Sequence, residues 1–391
     1  MSALRALRLG LTVCVCAVLV ACASAPSAPP PAPQTVLRDS LFQPGTQRVS
    51  ADQVFAFSPA MQQFLDGPEF AALKRSRGTR QGLIDALYTK SQLRLEYDAA
   101  MTRNASEAFE ARSGNCLSLV IMTAAFARQL DLPVRFRNVY VDEAWSRSGD
   151  LYFLSGHVNL SLGSPLSLRG TTVVSDELTI DFVPAETIRG QRAQVIDEST
   201  ILAMYMNNRA AEHLQAGQVN EAYWWAREAL LTEPKYMAAY NTLGVIYRRR
   251  GHAAEAEQAL RHVLTREPGN TQAISNMVLV LNDLGRKPEA DILTAQLREL
   301  QPYPPFRFFD MGLQAMKRGD FRAARELFGK EIARSAYYHE FHFWMSLASY
   351  GLGDMGDARK HMALAAENST TRKDHDIYAA KLGWLKTRRL Q

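Results

Sequence analysis

Residues 237–270 read MAAYNTLGVIYRRRGHAAEAEQALRHVLTREPGN, and the pattern of this stretch recurs along the C-terminal half of the 391-residue chain. Gly217, Gly251, Gly285, Gly319 and Gly353 stand 34 residues apart, as do Ala222, Ala256, Ala290, Ala324 and Ala358. Pro234, Pro268 and Pro302 keep the same interval. A fixed period of this length marks one supersecondary unit stacked on copies of itself. Glycine suits the turn that ends the first helix, alanine the place where two helices touch, and proline the end of the second helix.

With Tyr240, Leu243, Gly244, Tyr247, Gly251, Ala256 and Pro268 at the positions of its motif, the unit resembles the tetratricopeptide repeat. Five copies are expected at 203–236, 237–270, 271–304, 305–338 and 339–372, the last two without the proline. A capping helix over 373–391, ending in Lys386, Arg388 and Arg389, would give the stack a polar end. The resemblance implies a curved solenoid whose groove takes a peptide or protein ligand. Trp224, Trp225, Tyr236 and Trp344 either line that groove or pack between helices. His339, His342, Asp374 and His375 lack a third ligand at metal spacing, so neither metal nor cofactor is expected.

Working outward toward the N-terminus, residues 51–197 lose the period and alternate short helical patterns with strand patterns. Helical spacing covers Phe55 to Leu65, Glu69 to Leu73 and Arg80 to Tyr97, and Asn104-Ala105-Ser106-Glu107 can cap a further helix. Arg112-Ser113-Gly114-Asn115-Cys116-Leu117-Ser118 then turns into a helix, with Asn115 or Ser113 as cap. Cys116 sits in its first turn, where unpaired N–H groups and the helix dipole favour a thiolate. The helix stops at Asp131-Leu132-Pro133, and strands follow over 134–141, 151–162 and 178–184. In the second of these, His157 and Asn159 share a face; in the third, Asp181 points away from Leu178, Ile180 and Phe182. A thiol at a helix start, a histidine on a later strand and an aspartate on the next supply what a thiolate–imidazolium pair and its orienting carboxylate require.

Residues 107–141, with Arg112-Ser113-Gly114-Asn115-Cys116 opening a helix and Leu132-Pro133-Val134-Arg135 starting a strand, resemble the transglutaminase-like superfamily, a papain-related group. The resemblance spans about 110–185 and implies Cys116 as nucleophile, His157 as general base and acid, and Asp181 as orienter. Gly156 and Val158 flank the histidine where the family often has an aromatic. The fold class expected is therefore an α+β thiol-hydrolase-like domain (51–197) followed by an all-α helical-repeat solenoid (198–372). Two functions fit: a thiol hydrolase or acyltransferase acting on amide bonds, such as a cysteine peptidase, with substrate presented by the repeats, or a scaffold whose repeats bind partners while the thiol domain is inactive. For oxyanion donors the candidates are Asn159, Asn115 and the Cys116 N–H.

At the extreme N-terminus Arg5 and Arg8 precede an apolar run from Leu9 to Ala21 that is too short to span a bilayer. It ends in Leu19-Val20-Ala21-Cys22, which resembles the lipobox of bacterial lipoproteins. That resemblance implies acylation of Cys22 after removal of the leader, and Ala23 behind it implies the outer membrane, facing the periplasm. Cys14, Cys16 and Cys22 are thereby assigned to residues 1–22, leaving Cys116 as the free thiol. Residues 23–50, proline- and alanine-rich at their start, are expected to act as an extended tether. The net charge of +5, reduced further by loss of the leader, and the absence of a basic stripe among aromatics argue against nucleic acid.

Overall fold

Gly217, Gly251, Gly285, Gly319 and Gly353 adopt φ between +74° and +86°, the left-handed region that a side chain strains, and each sits in the turn between the two helices of a repeat. The 34-residue rhythm of the sequence is thus the rhythm of these turns. The structure, a computed structural model, describes residues 33–46, 50–88, 96–98, 101–140, 145–148, 151–154, 157–163, 177–182, 192–369 and 371–387. Residues 36–391 form one unit.

The helix pairs are α6 Glu198–Gln215 with α7 Val219–Thr232, α8 Met237–Arg249 with α9 Ala253–Arg266, α10 Thr271–Asp283 with α11 Lys287–Leu300, α12 Arg307–Lys317 with α13 Phe321–Arg334, and α14 His339–Gly351 with α15 Met355–Glu367. A final helix, α16 Arg372–Thr387, packs on α15 through buried Tyr378 and Leu385. The periodic alanines 222, 256, 290, 324 and 358 are all buried, because a larger side chain would hold the paired helices apart. Gly244 lets α8 approach α9 to the point where a Cβ would lie 2.7 Å from Leu260, and Gly312 does the same for α12 against the Phe328 ring at 2.4 Å. One apolar core runs unbroken from Val36 to Ala290, and a separate one begins at Phe306. At that break a cavity of about 430 Å³ opens, lined in part by Leu300, Tyr303, Phe308 and Lys330.

Ahead of the repeats come three short helices, α1 Pro59–Asp66, α2 Pro68–Arg77 and α3 Thr79–Tyr88, then α4 Ala105–Ala111 and α5 Cys116–Gln129. A helix continuing to Tyr97 is corrected: Glu96–Tyr97 is strand β1, pairing in parallel with β2 Ser113–Gly114, a tertiary partner that helical spacing does not reveal. Strand β3 is Val134–Tyr140, and β4 Trp145–Ser148 pairs with β5 Leu151–Leu154. Strands β6 His157–Leu162, β7 Leu178–Ile180 and β8 Arg192–Ile196 join β3 in an antiparallel sheet of order β7-β6-β3-β8. The single strand expected over 151–162 is therefore two, one in each sheet. Helix α5 packs against β6. The N-terminal leader and Cys22 lie outside the described residues.

One expectation about how the parts meet is corrected. The tether assigned to 23–50 does not include residues 36–46: Val36 and Phe42 are buried in the core beside Tyr223 and Tyr247, and side chains of the first two repeats bond the main chain of the segment, contacts that local composition does not reveal. In α6, His213 bonds Gln218 and stacks on Trp225, inside the repeat. Arg209 pairs with Glu212 at 2.7 Å, and it is Glu212 that accepts the Thr102 N–H, also at 2.7 Å.

The Gly312 approach gives a direct test of the stacking. Gly312→Ala forces a methyl into the Phe328 ring and should lower stability by about 1–3 kcal/mol, the usual cost of overpacking. Chemical denaturation followed by circular dichroism measures it; an unchanged midpoint would mean that α12 and α13 do not pack this closely.

Candidate functional site

Cys116 is the first residue of α5, and the local sequence explains why the helix starts there. Asn115 takes extended backbone angles, and its Oδ1 accepts the Ser118 N–H at 2.9 Å, satisfying one of the donors that a helix start leaves open. Gly114 precedes it because a Cβ at that position would lie 2.6 Å from Ser118 Cβ. The cap is itself held. Asn115 Nδ2 donates to Thr102 Oγ1 at 2.9 Å, Asn208 of α6 donates to the same oxygen at 3.3 Å, and the Thr102 N–H goes to Glu212. Ser118 Oγ accepts the Arg103 N–H at 2.8 Å. A hydrogen-bonded chain thus runs from the first repeat helix to the residue that begins the cysteine helix. Neither Thr102 nor Glu212 was marked by any local sequence pattern, because their partners lie 13 to 110 residues away.

His157 opens β6 opposite Val139 of β3 and is buried, with Asn159 two residues on along the same face and also buried. Asp181 was expected in the middle of a strand; β7 ends at Ile180 and Asp181 follows it. Aspartate is a poor strand residue, and here its carboxylate turns to the neighbouring strand rather than extending the ladder. Oδ1 lies 2.7 Å from His157 Nε2 and Oδ2 accepts from Asn159 Nδ2 at 2.8 Å. Both carboxylate oxygens are fixed, and the imidazole ring is fixed with them.

Burial works against a charged imidazole, yet hydrogen bonds from His157 to Asp181 and to Cys116, with the negative charge on both partners, outweigh it and raise the His157 pKa to about 9. Since Nε2 is taken by Asp181, Nδ1 is the nitrogen left for Cys116. The structure brings together Cys116, His157 and Asp181, with Asn159 as a fourth member whose role is to hold the carboxylate. That engages one of the three oxyanion candidates, and Asn115 is engaged as cap and as donor to Thr102. The Cys116 N–H, at the first helical position with no carbonyl four residues behind it in the helix, is the remaining one.

The other histidines singled out in the repeats have protein partners. His339 Nδ1 meets Tyr378 Oη at 2.9 Å, while His342 bonds the Ala336 carbonyl through Nε2 and His361 through Nδ1. Of the aromatics, Trp225 is packed against Tyr205 and His213, whereas Trp224 donates its Nε1–H to the Gln43 carbonyl.

The raised His157 pKa fixes a sign. Protonation of His157 favours the folded state fully below its unfolded value of about 6.5, and that contribution disappears as the pH rises through about 9. Asp181→Asn should bring the His157 titration, followed by NMR of the imidazole carbon-bound protons, down toward the ordinary value. A titration unmoved by the substitution would show that the carboxylate does not hold the proton.

No protein-family model matches the chain. Among curated proteins it is similar to the TPR repeat-containing protein YvcD of Bacillus subtilis (strain 168), 24% identical over 148 residues, which are 37% of this chain and 30% of YvcD. The match therefore spans less than a third of that relative's length. Solved structures similar to the chain include PilF of Pseudomonas aeruginosa, 20% identical, covering 47% of this chain and 84% of PilF at a TM-score of 0.28. TTC0263, a TPR protein of Thermus thermophilus, is 14% identical and covers 46% of this chain and 99% of its own at a TM-score of 0.28. The regular helix pairs, their left-handed glycine turns and the relation to YvcD together make this a protein of tetratricopeptide-type helical repeats.

Proposed function

We propose that the protein acts first as a partner-binding scaffold, with the repeats from α6 to α16 as the binding part. The observation that supports this most is the stack of helix pairs, which leaves apolar side chains in water where a partner can cover them. Leu300 is 48% and Tyr303 58% exposed at the mouth of the cavity between the two cores. Helical solenoids present extended surfaces of this kind to proteins or peptides.

A second reading is favoured by one arrangement, the His157 imidazole held between Asp181 and Cys116. In this reading residues 51–197 are a transglutaminase-like thiol domain. Cys116 Sγ attacks the carbonyl carbon of an amide, the Cys116 N–H meets the developing oxyanion, and His157 Nδ1–H gives its proton to the departing amine nitrogen. Water or a second amine then attacks the thioester, His157 takes the attacker's proton, and Cys116 leaves as thiolate. Hydrolysis and acyl transfer differ only in that second attacker.

The two readings separate in the protein's own host. A strain lacking the gene is complemented with Cys116→Ala and, separately, with Leu300→Ser/Tyr303→Ser. If the scaffold role leads, Cys116→Ala restores the phenotype and the surface variant does not; the opposite pattern would place the thiol chemistry first.

The Leu19–Cys22 motif after a short apolar run supports acylation of Cys22 and an outer-membrane protein facing the periplasm. More than one acyl chain would anchor it firmly, since a single chain binds only marginally. Cys22→Ser should move the protein from the membrane fraction to the soluble one; retention in the membrane fraction would remove acylation as the anchor.

A further inference from the structure

Residues 36–46, Val-Leu-Arg-Asp-Ser-Leu-Phe-Gln-Pro-Gly-Thr, lie across the first two repeats, held through their main chain as well as through buried Val36 and Phe42. Five main-chain groups are held by side chains of α7 and α8. The Val36 carbonyl accepts from Tyr247 Oη at 2.8 Å, and the Arg38 N–H donates to Tyr223 Oη at 3.0 Å. The Gln43 N–H donates to Asn220 Oδ1 at 3.2 Å, and its carbonyl accepts from Trp224 Nε1 at 2.7 Å. The Thr46 N–H donates to Glu221 Oε1 at 2.6 Å. Between these contacts Asp39–Leu41 makes one 3-10 turn, and main-chain contacts of this kind hold a segment largely independently of its side chains.

Three positions carry the selectivity. Asp39 accepts from Tyr223 Oη at 2.6 Å and pairs with Arg227 at 3.1 Å. Phe42 lies flat on the Tyr223 ring with centroids 3.9 Å apart and tilts against Tyr247 at 5.8 Å. Gly45 rests on the indole of Trp224, where an added Cβ would stand 3.0 Å from the ring. The surface reads a carboxylate, an aromatic ring three residues on, and a glycine three further.

We propose that this face of α7 and α8 is a peptide-binding surface, that residues 36–46 are its built-in occupant, and that its partner is a protein presenting an Asp-x-x-Phe-x-x-Gly segment with one 3-10 turn after the aspartate, as Asp39–Leu41 makes here. The proposal rests on the partner-binding reading of the repeats and names one face and one ligand chemistry for it. An occupant on the same chain has a high effective concentration, so a partner must compete with it, and anything that weakens the strap opens the surface. The contacts come from the second helix of the first repeat, the end of the next helix and Gln258 of α9, which accepts from the Arg38 guanidinium at 3.0 Å, so the surface stands apart from the cavity at Leu300 and Tyr303.

The test uses the full chain and a fluorescein-labelled peptide of residues 36–46, with fluorescence anisotropy as readout. Asp39→Ala/Phe42→Ala weakens the strap, and Gly45→Leu weakens it by a different route; neither touches the receiving side chains. Either variant, with parental helicity by circular dichroism, should bind the peptide at least ten-fold more tightly than the parent chain. A peptide carrying Phe42→Ala should lose at least ten-fold on the same variant. No binding to a folded variant, or equal binding to variant and parent, overturns the proposal while leaving partner binding through the Leu300 and Tyr303 surface untouched. If both variants fail to fold, residues 36–46 are structural and the proposal fails. A parent chain that runs as a dimer with its straps exchanged overturns it in favour of a second copy as occupant.

Discussion

A pair of helices 34 residues long cannot bury its own apolar face, and most of the molecule's organisation follows from that shortage. Interior repeats meet it with their neighbours. The first pair, α6 and α7, has no repeat before it, so its outer face must be covered by something else. Two different parts of the chain do so: α5 with its sheet on one side, and residues 36–46 on another, all drawing on the same core from Val36 to Ala290. The cysteine-bearing part and the repeats are consequently one packed body.

Polar groups at this junction are managed with equal economy. Glu212 is desolvated, and burial raises its pKa against the hydrogen bond from Thr102 and the charge of Arg209. A carboxylate in such a place stabilises only if its hydrogen bonds are complete. Its ligands are the Thr102 N–H and Arg209, and Thr102 in turn receives Asn115 and Asn208. The start of the cysteine helix is therefore set partly by residues of the repeat, so a change at Asn208 or Glu212 reaches Cys116 through a cap rather than through direct contact.

What was legible in the sequence was whatever repeats or acts locally. Glycines that recur every 34 residues announce left-handed turns because no other residue takes that conformation cheaply. Asn115 and Cys116 announce a capped helix because the cap is read within three residues. The histidine–aspartate pair was visible only as chain order and strand parity, and parity misplaced Asp181 within a strand where the carboxylate instead turns from the strand end. Thr102, Glu212 and the strap were illegible for one reason: each is fixed by partners far away in sequence. The strap misled further, because Pro44 and Gly45 extend the composition of the tether while Val36 and Phe42 are buried and Leu37 and Leu41 pack on the same core.

The break in the core between Ala290 and Phe306 has a mechanical meaning. Cooperativity in a stacked array travels through shared apolar contact, and here that contact is interrupted where the backbone bends through Pro302, Pro304 and a left-handed Phe306. The array should therefore open first at this point, with α12 to α16 able to part from the rest while the segment bound to α5 stays closed. A solenoid hinged at that point yields under load at one place and keeps its N-terminal half rigid.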